Sequence, residues 1–356
     1  MNYYKFIFVF SLVIVCLSCT TPNVFEGEHK FIEHFPQTLF PVAEKLVVDM
    51  PGIVNLAIVD TVLLAVIMPD PEILLQSYSL NNYKQMGTLI KKGKGPDEFL
   101  QASMPIQFVE DATNCYAWMW DHSLRCFYLL NITKTIKYQR TIIEQRYDLK
   151  NLGFSSHLVY VNDTLFWGTN WTFDNLELFA YNVKKEEIIY QTKLFKPTRN
   201  PSNNISAFSH SVTVKPDLSK IVINMLYLNQ LHVISLNNTN DRFSFSTSKN
   251  PGNIEQIIYT NADDDLILYY RDVRATDQFI FAIYNECTRK YEENPTKTII
   301  HVFDWYGNPI AIIDLPYYSS YFAIDEKGGY LYGLSEDVLL EQEIFYKYDI
   351  SKLLSN

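Results

Sequence analysis

An all-β chain, folded as a ring of repeated four-stranded sheets, is what the sequence predicts, and three observations carry the prediction. Strand-like runs of period two recur from about residue 54 to the C-terminal end. They fall into groups about fifty residues long, the length of a four-stranded blade and not of a βαβ unit. No long amphipathic helix interrupts them. The clearest run is Lys297 to Leu315: Ile299, His301 and Phe303 alternate with their neighbours, Tyr306-Gly307-Asn308-Pro309 breaks the chain, and Ile310, Ile312 and Ile313 resume it. That is a hairpin, with Gly where a turn needs positive φ and Pro where no ladder donor is required. A single hairpin cannot bury its own face, so the repeats must stack. A six-bladed β-propeller fits best, with seven blades the runner-up.

The chain opens with an apolar run from Phe6 to Leu17, too short to span a bilayer and shaped like the core of an export signal. Ser18-Cys19 ends it, which resembles a bacterial lipoprotein signal and implies lipidation at Cys19. An ordinary cleaved peptide and an uncleaved anchor are the alternatives. Residues 1–18 are therefore read as the signal, 19–37 as a polar flexible tether, and 38–356 as a single propeller domain. The expected location is the bacterial cell envelope, at the outer membrane, with the membrane as partner through the lipid.

The net charge of −10 is scattered along the 356 residues, and phosphate neutralisation needs a basic surface, so nucleic acid is excluded as a partner. Besides Cys16 and Cys19, the cysteines are Cys115, Cys126 and Cys287, too few for a disulfide scaffold. Cys115 and Cys126 flank a turn at Asp121-His122-Ser123; a cross-strand disulfide and two reduced core thiols both remain open. With only 12 Gly, several turns must use Asn, Asp or longer loops.

Four strands are expected at 54–60, 62–68, 74–80 and 83–90, and four more at 106–109, 114–120, 124–132 and 135–143. A third set spans 158–161, 165–169, 176–183 and 187–192, and a fourth 211–214, 221–226, 231–236 and 242–245. Between Ile254 and Pro295 the runs 257–260, 266–271 and 279–283 offer one strand too many, with a charged insertion at 286–294. The last group, 321–325, 330–334 and 344–350, has three strands, and Ala43 to Asp49 is the expected donor of its fourth.

Gly93-Lys94-Gly95-Pro96-Asp97-Glu98-Phe99 resembles the G-x-G-P-x-E-F signature of the TolB-like six-bladed propeller lipoproteins of Bacteroidetes, and residues 301–334 resemble the end of the same family. The resemblance covers most of the chain and implies the fold; it implies little about activity, because a propeller hosts many.

The candidate residues follow from this layout. The Gly93 to Phe99 crossover either presents Lys94, Asp97 and Glu98 at the channel mouth or is a structural link in which Phe99 plugs between blades, the favoured reading. Arg271, Asp272 and Arg274 follow a strong strand, Leu266 to Tyr270, and either line the same mouth or form a surface ion-pair cluster, the favoured reading. Trp171, among polar neighbours, is the candidate for stacking a sugar; the other tryptophans are expected in the core. His157 and His210 occupy matching places before adjacent inner strands and are the candidate metal ligands, for calcium or zinc, although no cofactor is the expected state. Asp263-Asp264-Asp265 lacks calcium-loop spacing and reads as a solvated tip. The favoured function is a lipid-anchored binding or scaffold module for a glycan, peptide or envelope protein. The alternative is a metal-dependent hydrolase or lactonase at the channel, which needs His157 or His210 joined there by Asp97 or Glu98.

Overall fold

The computed structural model describes residues 25–46, 52–68, 70–101, 103–153, 155–172, 175–196, 205–249, 251–252, 254, 257, 266–288, 296–337 and 342–355. Cys19, the start of the expected tether, the Asp263 to Asp265 tip, residues 47–49 of the donor strand and most of the 286–294 insertion lie outside them. Among the described residues, 27 strands form six sheets, one per blade. Blade 1 comprises Ile53–Val59, Val62–Ile67, Ile73–Ser79 and Gln85–Lys92; blade 2 Gln107–Glu110, Cys115–Asp121, Cys126–Asn131 and Ile143–Asp148. Blade 3 comprises His157–Asn162, Leu165–Trp171, Leu176–Asn182 and Glu187–Lys193; blade 4 His210–Val214, Lys220–Met225, Leu231–Ser235 and Arg242–Ser246. Blade 5 comprises Ile267–Ala275, Phe279–Thr288, Thr298–Asp304 and Pro309–Leu315, and blade 6 Tyr321–Asp325, Tyr330–Asp337, Gln342–Asp349 and Ala43–Leu46. The inner strand of blade 6 packs on that of blade 1, closing the ring.

Of the surplus run at 257–260 only Ile257 lies among the described residues, and the run after it forms one long strand. Ile267–Ala275 is continuous, with register shifts at Tyr270 and Val273, and Ile257 is helical and buried against the blade 3 and 4 core. A second correction falls in blade 2, where residues 132–138 form helix α1 (Ile132–Tyr138) and the outer strand is Ile143–Asp148, not 135–143. Asn131 caps α1 by accepting from the Lys134 N–H at 2.8 Å, and Ile132 and Ile136, one turn apart, pack on the blade 1 and 2 core.

The stretch read as a tether is docked from residue 25 onward. Glu28–Phe31 pairs in parallel with the outer strand of blade 4, Thr38–Leu39 in parallel with that of blade 5, and Ala43–Leu46 antiparallel to Gln342–Asp349 as the fourth strand of blade 6. One N-terminal segment thus runs as a belt around three blades. Each contact has a reason in the side chains. Phe25 stacks on His232 of blade 4 at 4.3 Å between ring centres, and Phe35 on His301 of blade 5 at 4.7 Å. His29 sits between the Ser244 and Ser246 hydroxyls at 2.8 and 3.0 Å. Ile32 and Leu46 are buried in the cores beneath.

Asn and Asp serve the turns, though mainly as acceptors. Side chains of Asp111, Asn162, Asp217 and Asp325 each accept a backbone N–H two or three residues on, tying the turns between first and second strands. Left-handed backbone falls instead on Asp60, Tyr83, Arg125, Glu186 and Leu218 as well as on glycine. Gly307 has φ +78°, and a Cβ there would come within 2.8 Å of Phe243. Cys115 and Cys126 start consecutive antiparallel strands and so stand at opposite ends of their hairpin, and both are free thiols.

Deleting residues 25–46 removes the closing strand and should abolish cooperative thermal unfolding. Deleting only residues 25–35 should leave it cooperative at a lower Tm, since Phe25 and Ile32 each contribute roughly 2 kcal/mol by burial. Equal melting of the two truncated proteins and the full chain would rule out closure by the belt.

The rings under the belt also set an acid limit. Burial lowers the pKa of His232 and of His301 to about 3, so the folded state holds both neutral. Their folded pKa lies below the unfolded 6.5, so this contribution to stability is complete above pH 6.5 and lost as pH falls toward 3, at roughly 1 kcal/mol per histidine per pH unit. Asp272 and Glu326, whose carboxyl pKa values burial raises, act in the opposite sense. His232→Phe should therefore flatten the acid limb of a stability profile by roughly 2 kcal/mol at pH 4.5; an unchanged slope counts against a neutral buried ring.

Candidate functional site

Within each blade the first strand lines the channel and strands alternate in direction. All turns between first and second strands therefore lie on one face, the turn face, and the inner strands all start from the other. A cavity of about 610 Å³ opens on the turn face. Its walls are the ends of the inner strands of blades 1, 2, 4, 5 and 6, with apolar sides from Val59, Ile106, Val109, Val214 and Ile324.

Its rim is acidic. Asp60, Glu110, Asp277, Asp325 and Glu326 meet one cation there, Lys327, and Arg274 is the other cation of the lining, below them. Lys327 on the blade 6 turn reaches Glu110 at 2.7 Å and Asp60 at 3.4 Å, joining three blades. These pairs are exposed, so they position side chains more than they stabilise the fold. Glu326 keeps its proton to higher pH than an ordinary glutamate, first through burial and then through the charge of Asp277. No cation is recorded against Asp277 or Glu326 among the described residues.

Arg274 crosses the floor. From the inner strand of blade 5 its Nη2 donates to Asn55 Oδ1 at 2.6 Å and to the Leu56 carbonyl at 3.3 Å on blade 1, passing blade 6, where its guanidinium lies 5.9 Å from the Phe322 ring centre. Nη1 pairs with Asp272 Oδ1 at 2.8 Å. Asp272 is 5% exposed and its Oδ2 has no partner among the described residues, so burial raises its pKa against the pull of Arg274.

The structure separates the residues that the sequence grouped at one mouth. Arg274 lines the cavity, whereas Arg271 turns to the Tyr318 hydroxyl at 2.7 Å and Asp272 is buried beneath. Lys94, Asp97 and Glu98 stand on the outer rim of blade 1, where Glu98 and Phe99 add a short parallel strand to Lys91 and Lys92. There the signature locks itself. Glu98 accepts from the Gly95 N–H at 2.8 Å, and a Cβ on Gly93 would collide with its carboxylate. Phe99 is fully buried against Tyr128, the plug expected of a crossover. Trp171, at the end of a second strand and so away from the turn face, is half-buried against the blade 3 and 4 core and not a lining residue.

His157 and His210 do meet, at 5.0 Å between rings, joined by Thr169. Its hydroxyl lies 3.0 Å from His210 Nε2 and 3.1 Å from His157 Nδ1, while His210 Nδ1 donates to the Phe208 carbonyl at 2.9 Å. The network assigns the tautomers: Thr169 donates to His210 and accepts from His157. Three of four ring nitrogens are thus engaged, and the Thr169–His210 contact fastens blade 3 to blade 4. Burial holds His210 at about 4 and also lowers His157 well below its usual range. Asp97 and Glu98, on the rim of blade 1, do not join them, and no group of three or more His, Cys, Asp or Glu converges among the described residues.

One close pair escaped the sequence reading. Ser103 Oγ lies 2.5 Å from His122 Nε2, with Nδ1 on the Ser155 carbonyl at 3.1 Å. This resembles a nucleophile and its base, but the Ser103 and His122 N–H groups already donate to Trp120 and Gln101 carbonyls and so are not oxyanion donors. Nineteen residues separate the two, and no spacing rule would have found them. The cavity rim was equally hidden, since its acids are spread over the turns of four blades.

Comparison with known proteins agrees with this geometry. The family model described as TolB-like 6-blade propeller-like matches residues 42–327. The chain belongs to that family. Among solved structures, a member of the DUF4221 family from Bacteroides vulgatus superposes with a TM-score of 0.53 at 11% identity, covering 92% of this chain and 97% of its own. A Bacteroides fragilis protein described as exported matches at 14% identity and TM-score 0.49, covering 91% and 99%. At 11% identity the superposition on the Bacteroides vulgatus protein shows the fold alone. No curated protein matches the chain. No helix among the described residues is long and apolar enough to cross a membrane.

Arg274→Ala should destabilise the protein by about 3 kcal/mol, because it leaves Asp272 charged, buried and unpaired. Adding Asp272→Asn should recover at least half of the loss in a denaturant titration. Additive losses would mean that the pair is not coupled.

Proposed function

We propose that the protein is a binding module of the bacterial cell envelope, held to the membrane by lipid at Cys19, with the turn-face cavity as its binding site. The observation that supports this most is the lining itself. Apolar walls from five blades end in a rim where Lys327 engages Asp60 and Glu110 while Glu326 and Asp277 repel each other. A rigid, mostly apolar hollow with a few convergent polar groups is how propellers and other scaffolds hold small ligands. The charge left over favours a ligand with a cationic end on an apolar body, and a peptide carrying Lys or Arg fits that description better than a neutral glycan.

Isothermal titration with acetyl-Phe-Lys-amide and acetyl-Phe-Arg-amide, against the norleucine counterpart, tests the reading. Binding of the basic peptides should weaken about tenfold, roughly 1.4 kcal/mol, in Glu326→Gln or Asp277→Asn. Equal binding of the norleucine peptide, or preference for a neutral glycan panel, would reject a cationic ligand.

A further inference from the structure

The belt fastens the N-terminal segment to one side of the ring. Phe25 is buried, bridges Phe195 and stacks on His232, and the Glu26 N–H donates to the Leu194 carbonyl at 3.1 Å. Glu26 is held further by Arg242 at 2.8 Å and by Lys196. The chain is therefore fastened where the outer strand of blade 3 ends and that of blade 4 begins. Only residues 20–24 separate this point from Cys19. Six steps of about 3.3–3.6 Å reach at most ~20 Å. A tether extending to residue 37 would let the disc turn freely; one that ends at residue 25 does not.

We infer that the rim formed by blades 3 and 4 faces the bilayer surface. This rests on acylation of Cys19, and it adds an orientation to the anchored module. The rim carries what such a surface takes. Ile188 and Ile189 are exposed on consecutive positions of the blade 3 outer strand, which pairs with no further strand among the described residues, whereas blades 4 and 5 have theirs covered by the belt. Phe31, 41% exposed, lies on the other side of the attachment point, with the Lys249 ammonium over its ring. Lys193 and Lys196 flank Leu194 and Phe195, where the belt attaches, Lys196 being paired with Glu26. Amphipathic side chains of this kind place apolar parts at the interface and ammonium groups among headgroups. The cavity opens on a flat face of the disc, so a disc held by its rim leaves that face accessible to ligand from the side.

Energy transfer to a headgroup dye measures the orientation in the full-length acylated protein, reconstituted in phosphatidylethanolamine and phosphatidylglycerol vesicles. With Cys115, Cys126 and Cys287 replaced by Ser, a donor on Ile189→Cys should transfer at least twice as efficiently as one on Lys84→Cys, at the rim of blade 1. Inserting a twenty-residue Gly-Ser linker between Val24 and Phe25 should abolish the difference. Equal transfer from both donors, with acyl-glyceryl mass confirmed on Cys19, overturns the orientation alone. Absence of that mass, or membrane retention of Cys19→Ala, overturns the anchor on which it rests.

Discussion

The four-residue pairing of Ala43–Leu46 with Phe345 to Tyr348 is the contact on which the ring depends. Five blades are made from consecutive chain, and each can form from local hairpins. The sixth cannot, because its outer strand comes from about three hundred residues away. Closing that distance carries a loop entropy cost that grows only slowly with length, and burial offsets it along the whole belt. The belt adds strand pairing to blades 4 and 5 before it reaches blade 6, so closure is spread over three sheets.

The belt also explains two buried histidines. His232 and His301 occupy the same place in the third strands of blades 4 and 5, and each has a belt phenylalanine on its ring. Neither nitrogen of His232 has a partner among the described residues. An imidazole in such a place is tolerated only while neutral, which couples belt docking to pH. His157 and His210 follow the same logic between blades 3 and 4, where Thr169 satisfies them as a neutral pair. What looks from a distance like a set of ligands is a set of fasteners.

Polar residues concentrate instead where the turns meet. Hairpin tips on the turn face need Asp, Asn and Lys for their own geometry, and ring closure brings five such tips around one opening. Arg274 then spans the floor from blade 5 to blade 1, fixing the cavity depth with hydrogen bonds to Asn55 and Leu56. The site is a product of symmetry, because no blade alone holds more than a part of it.

Strand periodicity, blade length and the donor role of Ala43 to Leu46 were legible in the sequence, because alternation and missing-strand arithmetic are local properties of the chain. So was the crossover at Gly93 to Phe99, whose glycines answer to Glu98 three to five residues away. Helix α1 was masked by β-branched residues that Asn131 and burial turn helical. The belt was missed for a different reason: its polar, aperiodic residues 25–37 acquire a fold only from the outer strands they lie on. Residues that neighbour each other across the channel, such as Lys327 and Glu110 or Arg274 and Asn55, are more than two hundred positions apart. Local pattern determined the blades of this protein; which blade faces which, and hence the cavity and its floor, was decided only when the ring closed.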